Sequence, residues 1–258
     1  MTGDHEARRR AFAAVLPRGG LGRRLHFHPT VDSTNARALA ELDAGRAEDG
    51  DLHLAHEQTA GRGSRGRRWH SPPGAGLWMS LVRLAPPPTP AAFWPALALV
   101  RALRAEGLDA RVKWPNDVLV GARKIAGVLV EACYRGAVPQ GWVIGLGVDL
   151  TIASFPPEVE VEATSFLLES GRAPDEAALL ARLLDEMGAL AADPHSLVEV
   201  LRAEGGLLGR RFNVRRGGER FTVVARDLDA EGHLVVDRDD GGRETWISSG
   251  ELDLRPAD

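Results

Sequence analysis

RVKWPNDVLVGARKIAGVLVEACY, residues 111–134, is cut by two turn signals, Pro115-Asn116 and Gly121, into three strand-like runs: RVKW, DVLV and KIAGVLVEACY. A fourth run, GWVIGLGVDL (141–150), follows at once. Upstream, DLHLAHE (51–57) alternates apolar and polar residues, and LWMSLVRL (77–84) does the same after the Pro72-Pro73-Gly74 turn. Helical spacing lies between and beyond these strands. ARALAELDAGRA follows the capping cluster Ser33-Thr34-Asn35, AAFWPALALVRALRAEG runs from the PPPTP break at 86–90 to Gly107, and a further helical stretch extends from Pro174 to about Leu201. The sum is an α+β fold, a mixed or antiparallel β-sheet flanked by helices. Beyond Gly205 the pattern changes to short β runs, RFNVRR, RFTVVARD, HLVVDR and ETWIS, separated by GG, DAEG and DDGG turns, which predicts a small all-β barrel. We therefore expect a first domain over 1–204 and a second over 205–258.

Composition narrows the function. A net charge of −4 supplies no concentrated positive field, so neither nucleic acid nor a membrane surface is an expected partner. The single cysteine, Cys133, excludes an internal disulfide and a cysteine-built metal cluster and fits a reducing compartment. The apolar run before Pro17 is too short for a secretory h-region or a membrane span, so a cytoplasmic location is expected.

Residues 61–69, GRGSRGRRW, contain the spacing G-x-G-x-x-G and come close to a P-loop. Neither reading survives. A dinucleotide fingerprint opens a helix, whereas here Pro72 and Pro73 forbid one; a P-loop needs Lys followed by Ser or Thr, and here Arg67 and Arg68 precede a tryptophan. What remains is a strand-to-strand loop whose glycines let backbone amides approach a ligand and whose arginines can fork onto anionic oxygens. Of 32 lysines and arginines only Lys113 and Lys124 are lysines. In a chain that uses arginine nearly everywhere, these two mark positions that suit a compact ammonium on a flexible stem.

Taken together, STN (33–35), QTAGRGSRGRRW (58–69), KWPNDV (113–118), RKIAGVLVE (123–131) and GLGV (145–148) resemble the successive motifs of the biotin protein ligases, over essentially the whole chain. That resemblance implies a ligase that converts biotin and MgATP to biotinyl-5'-AMP and pyrophosphate, then transfers biotin to one lysine of a biotin carboxyl carrier domain. It implies a biotin/lipoate ligase-like catalytic domain with an SH3-like barrel after it, and suggests a homodimer. By the same resemblance Lys124 stabilises the charge that builds where carboxylate meets α-phosphate, and Arg62 lies on the loop that folds over both, with Arg65 and Arg67 as helpers on the ATP side. Ser33, Thr34, Asn35, Gln58, Gly63, Ser64 and Gly127 are the expected biotin contacts, although Ser33 and Thr34 also suit a helix cap. Lys113 is expected on triphosphate oxygens; Asn116 and Asp117 either hold their turn or assist ATP and Mg²⁺. Gly127, Gly145 and Gly147 permit close backbone approach to biotin or nucleotide, or else a strand twist or bulge.

Two residues depart from the family pattern. Ser64 stands where arginine is usual, and Asp149 stands where asparagine is usual, close enough to the nucleotide motif to bind Mg²⁺ or to repel ATP without it. Only 32 residues precede Ser33, without a two-helix pattern, so no repressor function is expected. A lipoate ligase or octanoyltransferase shares the fold, but a transferase needs a nucleophilic cysteine, and Cys133 sits in an apolar run with no motif around it.

Overall fold

The computed structural model describes residues 4–88, 91–158, 162–193, 197–216 and 218–246 and the backbone of 253–256. Seven strands form the main sheet: β1 (Arg24–Val31), β2 (Asp51–Gln58), β3 (Gly76–Arg83), β4 (Ala110–Lys113), β5 (Asp117–Val120), β6 (Arg123–Arg135) and β7 (Val138–Asp149). Their order is β1-β2-β3-β7-β6-β5-β4. Only β1 and β2 pair in parallel, and α2 (Thr34–Asp43) crosses between them; every other pairing is antiparallel.

Strand alternation sorts the two faces. On β3, Leu77, Met79 and Leu81 join the main core with α3 (Phe93–Ala105) and α5 (Glu176–Ala192), whereas Val82 faces Ala38 and Leu42 of α2. Helix α3 is apolar nearly all round because it is enclosed, and its Trp94 donates its indole N–H to the Met187 carbonyl of α5 at 2.7 Å. Helix α1 (Asp4–Val15) adds Phe12 to this core, and α4 (Phe166–Ser170) and α6 (Leu197–Glu204) contribute Phe166 and Leu201. On β7 the same alternation sends Ile144, Leu146 and Val148 into the core and turns Val143, Gly145, Gly147 and Asp149 to the α2 side. That side carries the site.

The helical stretch after Pro174 divides into α5 and α6 around Asp193, with 194–196 outside the described residues. The last two residues of the PPPTP break, 89–90, and the end of the ETWIS run, 247–248, also lie outside them. Strand β1 escaped the periodicity reading because RLHFHPTV contains Pro29 and two histidines; an edge strand tolerates both. The C-terminal β runs form an antiparallel sheet, β8 (Arg211–Arg216), β9 (Glu219–Leu228), β10 (Leu234–Arg238), β11 (Arg243–Trp246) and β12 (Asp253–Pro256), in the order β11-β10-β9-β8-β12. Among the described residues β11 and β12 do not pair, so no closed barrel is found there, and the sheet is consistent with a small SH3-like domain. No described helix is long and apolar enough to cross a membrane.

Candidate active site

Above the glycine-bearing stretch of β6 and β7 lies a cavity of about 1050 Å³. Its floor is built from absent side chains. Gly127 of β6 pairs directly with Gly147 of β7, and Leu129 with Gly145. A Cβ at Gly147 would stand 2.4 Å from Trp69 Nε1, and one at Gly145 would stand 2.2 Å from Asn35 Oδ1. Glycine at these positions therefore lets the indole of Trp69 and the start of α2 settle onto the sheet.

Lys124 reaches this cavity through a β-bulge. Strand alternation alone puts Lys124 on the core face with Ala126 and Val128, opposite to Gly127. The β5 pairing shifts register between Val118 and Leu119, whose partners are Ala126 and Lys124, leaving Ile125 as the extra residue. The bulge turns Lys124 to the cavity side and leaves Ile125 and Ala126 in the core. Its backbone is gripped from outside as well, donating to Glu162 O at 2.7 Å and accepting from Thr164 N at 2.8 Å. The ammonium lies 2.6 Å from Asp117 Oδ1 and 4.9 Å from the centre of the Trp69 ring. A Cβ at Gly127 would come 3.1 Å from both Lys124 Nζ and Trp69, so Gly127 makes the room for that stack.

The remaining predicted residues fall into three groups. Ser33 caps α2, its Oγ accepting from Ala36 N at 3.5 Å, and also lines the cavity, so both roles considered for it are geometrically open. Gln58 accepts from Thr34 N at 2.9 Å and Thr34 Oγ1 at 3.1 Å, and donates to Ser71 Oγ at 2.9 Å. Ser80 on β3 donates to Thr34 Oγ1 at 2.7 Å and bonds Asn35 Oδ1, making one buried polar network. Arg62, Gly63, Ser64 and Arg67 of the loop line the opposite wall, where Arg67 turns back to Ser64 Oγ at 3.2 Å. Asn116 lines the cavity too, but its amide donates to Val128 O at 2.7 Å while its own carbonyl accepts from Val128 N at 2.8 Å. It pins the KWPND turn to β6.

Three expected contacts stand away from the cavity wall. Lys113 and Asp117 lie behind Lys124, with 3.7 Å between the Lys113 ammonium and the Asp117 carboxylate. Arg65 does not line the cavity; it has a left-handed backbone (φ 60°) at the tip of the short 3₁₀ turn Ser64–Gly66. Asp149, by contrast, is buried on the wall, and no hydrogen bond reaches its carboxylate among the described residues. Burial pushes its carboxyl well above the usual range, against the pull of the Lys124 charge. Trp69 is similar in kind, its buried indole N–H being without a partner on the cavity wall.

Residue patterns pointed past several members of the site. Ser71 and Ser80 carry the polar network, and Glu131 pairs with Arg62 at 2.8 Å. Ser80 had a usable signal, a hydroxyl in the otherwise apolar run LWMSLV; the segment around Phe155 and Pro156, which closes one end of the cavity, had none.

A cavity that faces a lysine and a buried carboxyl across from an arginine loop suits a ligase that must bring two anionic substrates together. Comparison with known proteins gives that class its family. The biotin/lipoate A/B protein ligase family matches residues 27–149, and the biotin protein ligase C-terminal domain matches residues 207–255. The biotin--[acetyl-CoA-carboxylase] ligase of Mycobacterium tuberculosis is 36% identical over 92% of this chain and 91% of its own. The bifunctional ligase/repressor BirA of Escherichia coli is 32% identical over 89% of this chain and 74% of its own. In fold, the chain matches the Aquifex aeolicus biotin protein ligase solved with biotin and ATP, with a TM-score of 0.77 and 24% identity over 91% of this chain and 100% of that one. The chain belongs to the biotin protein ligase family.

Proposed function

We propose that this protein activates biotin with ATP and attaches it to a lysine of a biotin carboxyl carrier domain of a carboxylase. A biotin carboxylate oxygen attacks the α-phosphorus, the new O–P bond forms as the bond to the β-phosphate oxygen breaks, and pyrophosphate leaves. The carrier lysine, as a free amine, then attacks the acyl carbon, AMP departs, and the nitrogen loses a proton. Two unit charges about 4 Å apart repel by about 4 kcal/mol at an effective dielectric near 20, so the first step needs cations on both sides of the meeting point.

The observation that carries the reading is the bulge that delivers Lys124 to the cavity facing the arginine loop. Asp117 and the Trp69 face hold its ammonium from behind, which leaves a point charge on a short tether for the forming O–P bond. Arg62 and Arg67 lie where they can take the carboxylate and a phosphate oxygen. Ser33, Thr34, Asn35 and Gln58 offer the polar end of the cavity to the ureido group of biotin. Arg65, on the exposed tip of the loop, joins them only as the loop closes, and Lys113 with Asp117 steadies Lys124 from the second rank.

Magnesium fits this donor set. It takes one or two carboxylates plus substrate phosphates and waters, and Asp149 is a buried carboxyl on the cavity wall whose oxygens no described group satisfies. Asp149 would hold the ion, which would neutralise phosphate charge. The same reading takes residues from 205 onward as a second domain, packed on the first, that supports ATP or the carrier, allows a homodimer, and sets the enzyme in the cytoplasm with its carboxylase.

The test is direct. Purified protein is mixed with biotin, MgATP and an apo carrier domain, and intact mass reports a biotinyl gain on the carrier lysine, with lipoate and octanoate as competing acids. Biotinylation with stoichiometric pyrophosphate supports the reading. Preference for either competing acid, or no product from biotin, overturns it.

A further inference from the structure

Glu131 is the residue of the RKIAGVLVE stretch for which the mechanism above has no use. It sits on β6 two positions beyond Leu129, on the cavity side of the strand, paired with Val143 of β7. Its two carboxylate oxygens have separate partners. Oε2 accepts from Asn35 Nδ2 at 2.8 Å, while Oε1 lies 2.8 Å from the guanidinium of Arg62. Asn35 is itself fixed, since its Oδ1 bonds Ser80 and its position over Gly145 leaves no room for a Cβ there. One end of the carboxylate is thus anchored to a rigid, buried residue and the other end holds an arginine from the glycine-rich loop.

From this geometry we propose that Glu131 is a positioning residue that parks Arg62. In the free enzyme it occupies the guanidinium that must later grip the biotin carboxylate, and ligand binding exchanges one carboxylate partner for another. The proposal rests on the reading of Arg62 as an anion-binding group. Parking has two opposite effects. It keeps the arginine near the cavity mouth and desolvates it in part, and it makes the incoming anion compete with an anion already in place. The Arg62 side chain is 47% exposed and that of Glu131 is 19% exposed, so water and salt screen the pair and the competition is modest rather than blocking.

Glu131→Gln separates the two functions of the side chain. The amide oxygen still accepts from Asn35, while the charge that holds Arg62 is gone. Biotin affinity is measured by calorimetry for the wild type, Glu131→Gln, Arg62→Ala and the double variant, each at low and high salt. Glu131→Gln is expected to bind biotin about two- to fivefold more tightly, the range of a partly exposed ion pair, with the gain shrinking at high salt and vanishing in the Arg62→Ala background. Equal or weaker binding by Glu131→Gln, or the same gain without Arg62, overturns the parking role and leaves the anion-binding role of Arg62 standing. An Arg62→Ala variant that binds biotin as well as the wild type overturns that underlying role, and the proposal with it.

Discussion

Lys124 brings an ammonium and Asp149 a buried carboxyl to one cavity, and each makes a prediction that can be read in isolation. Lys124→Arg preserves the charge but replaces a compact ammonium, stacked over Trp69 and fitted above Gly127, with a larger planar fork. Adenylate formation, followed as pyrophosphate release, is expected to fall by about 10²–10³, the range for loss of one preorganised transition-state contact, while biotin affinity changes far less. Near-normal pyrophosphate release would refute the role given to Lys124. Asp149→Asn removes a buried carboxyl that has no hydrogen-bond partner among the described residues. The magnesium concentration for half-maximal adenylate formation is expected to rise several-fold with biotin affinity unchanged; superimposable magnesium titrations would exclude Asp149 as a metal ligand.

At the level of elements, the β1–β2 pair holds a histidine stack that the proposed chemistry does not use. His53 lies between His26, at 4.5 Å between ring centres, and His28, at 5.4 Å, with 3.2 Å between His28 Nε2 and His53 Nδ1. Asp51, Glu41, Asp32, Arg24 and Arg37 are the charged groups around it. Burial, with the two neighbouring rings adding to it, pushes His53 down to about 3, and burial also lowers His28. With its folded value below its unfolded value of 6.5, His53 takes a proton more readily in the unfolded chain. Stability is therefore unaffected by His53 above about pH 6.5 and lost progressively as the pH falls from there toward about 3. From about pH 7 to about pH 5 that loss is about 2 kcal/mol for one such histidine. Urea unfolding at about pH 7 and about pH 5 should show a loss of this order in the wild type and a clearly smaller one in His53→Gln; equal losses would show that the stack does not govern acid stability.

Across the whole molecule the two sheets share one core. Phe212, Val214, Val223 and Leu228 of the C-terminal sheet belong to the same buried cluster as Trp94, Leu97 and Trp114. Polar contacts cross at the same places: Val112 N donates to Gly205 O at 2.8 Å, and the Trp114 indole donates to Gly232 O at 3.4 Å, in the turn between β9 and β10. A continuous core makes unfolding cooperative, so far-UV circular dichroism and tryptophan fluorescence should give coincident urea transitions. Two separated transitions would mean that the sheets unfold independently. Trp114→Ala opens the cluster where the KWPND turn meets the C-terminal sheet. It is expected to destabilise the protein by about 3–5 kcal/mol and to lower adenylate formation, because Asn116, Asp117 and Lys124 lose their support together. A stable variant with normal activity would show that this junction has no hold on the site.

The sequence by itself determined the local structure with short-range causes: the turns at Pro115-Asn116 and Gly121, the cap at Ser33, the strand alternation of β2, β3 and β7, and the failure of GRGSRGRRW to open a helix. It also singled out two residues as candidates for the chemistry, because arginine usage so general left two lysines to notice. The tertiary structure alone decided which of them meet. Lys124 and Gly127 are three residues apart and belong on opposite faces of a regular strand; a bulge at Ile125, set by pairing with β5, brings them to one face. Lys113, equally scarce as a lysine, is left behind Asp117 because β4 is the edge strand and its side chain stops short of the cavity. The grip of Glu131 on Arg62 joins positions far apart along the chain, and the histidine stack joins two parallel strands through the α2 crossover. Such contacts depend on register and on which strands are neighbours, and these are fixed by packing of the whole sheet rather than by any local run of residues.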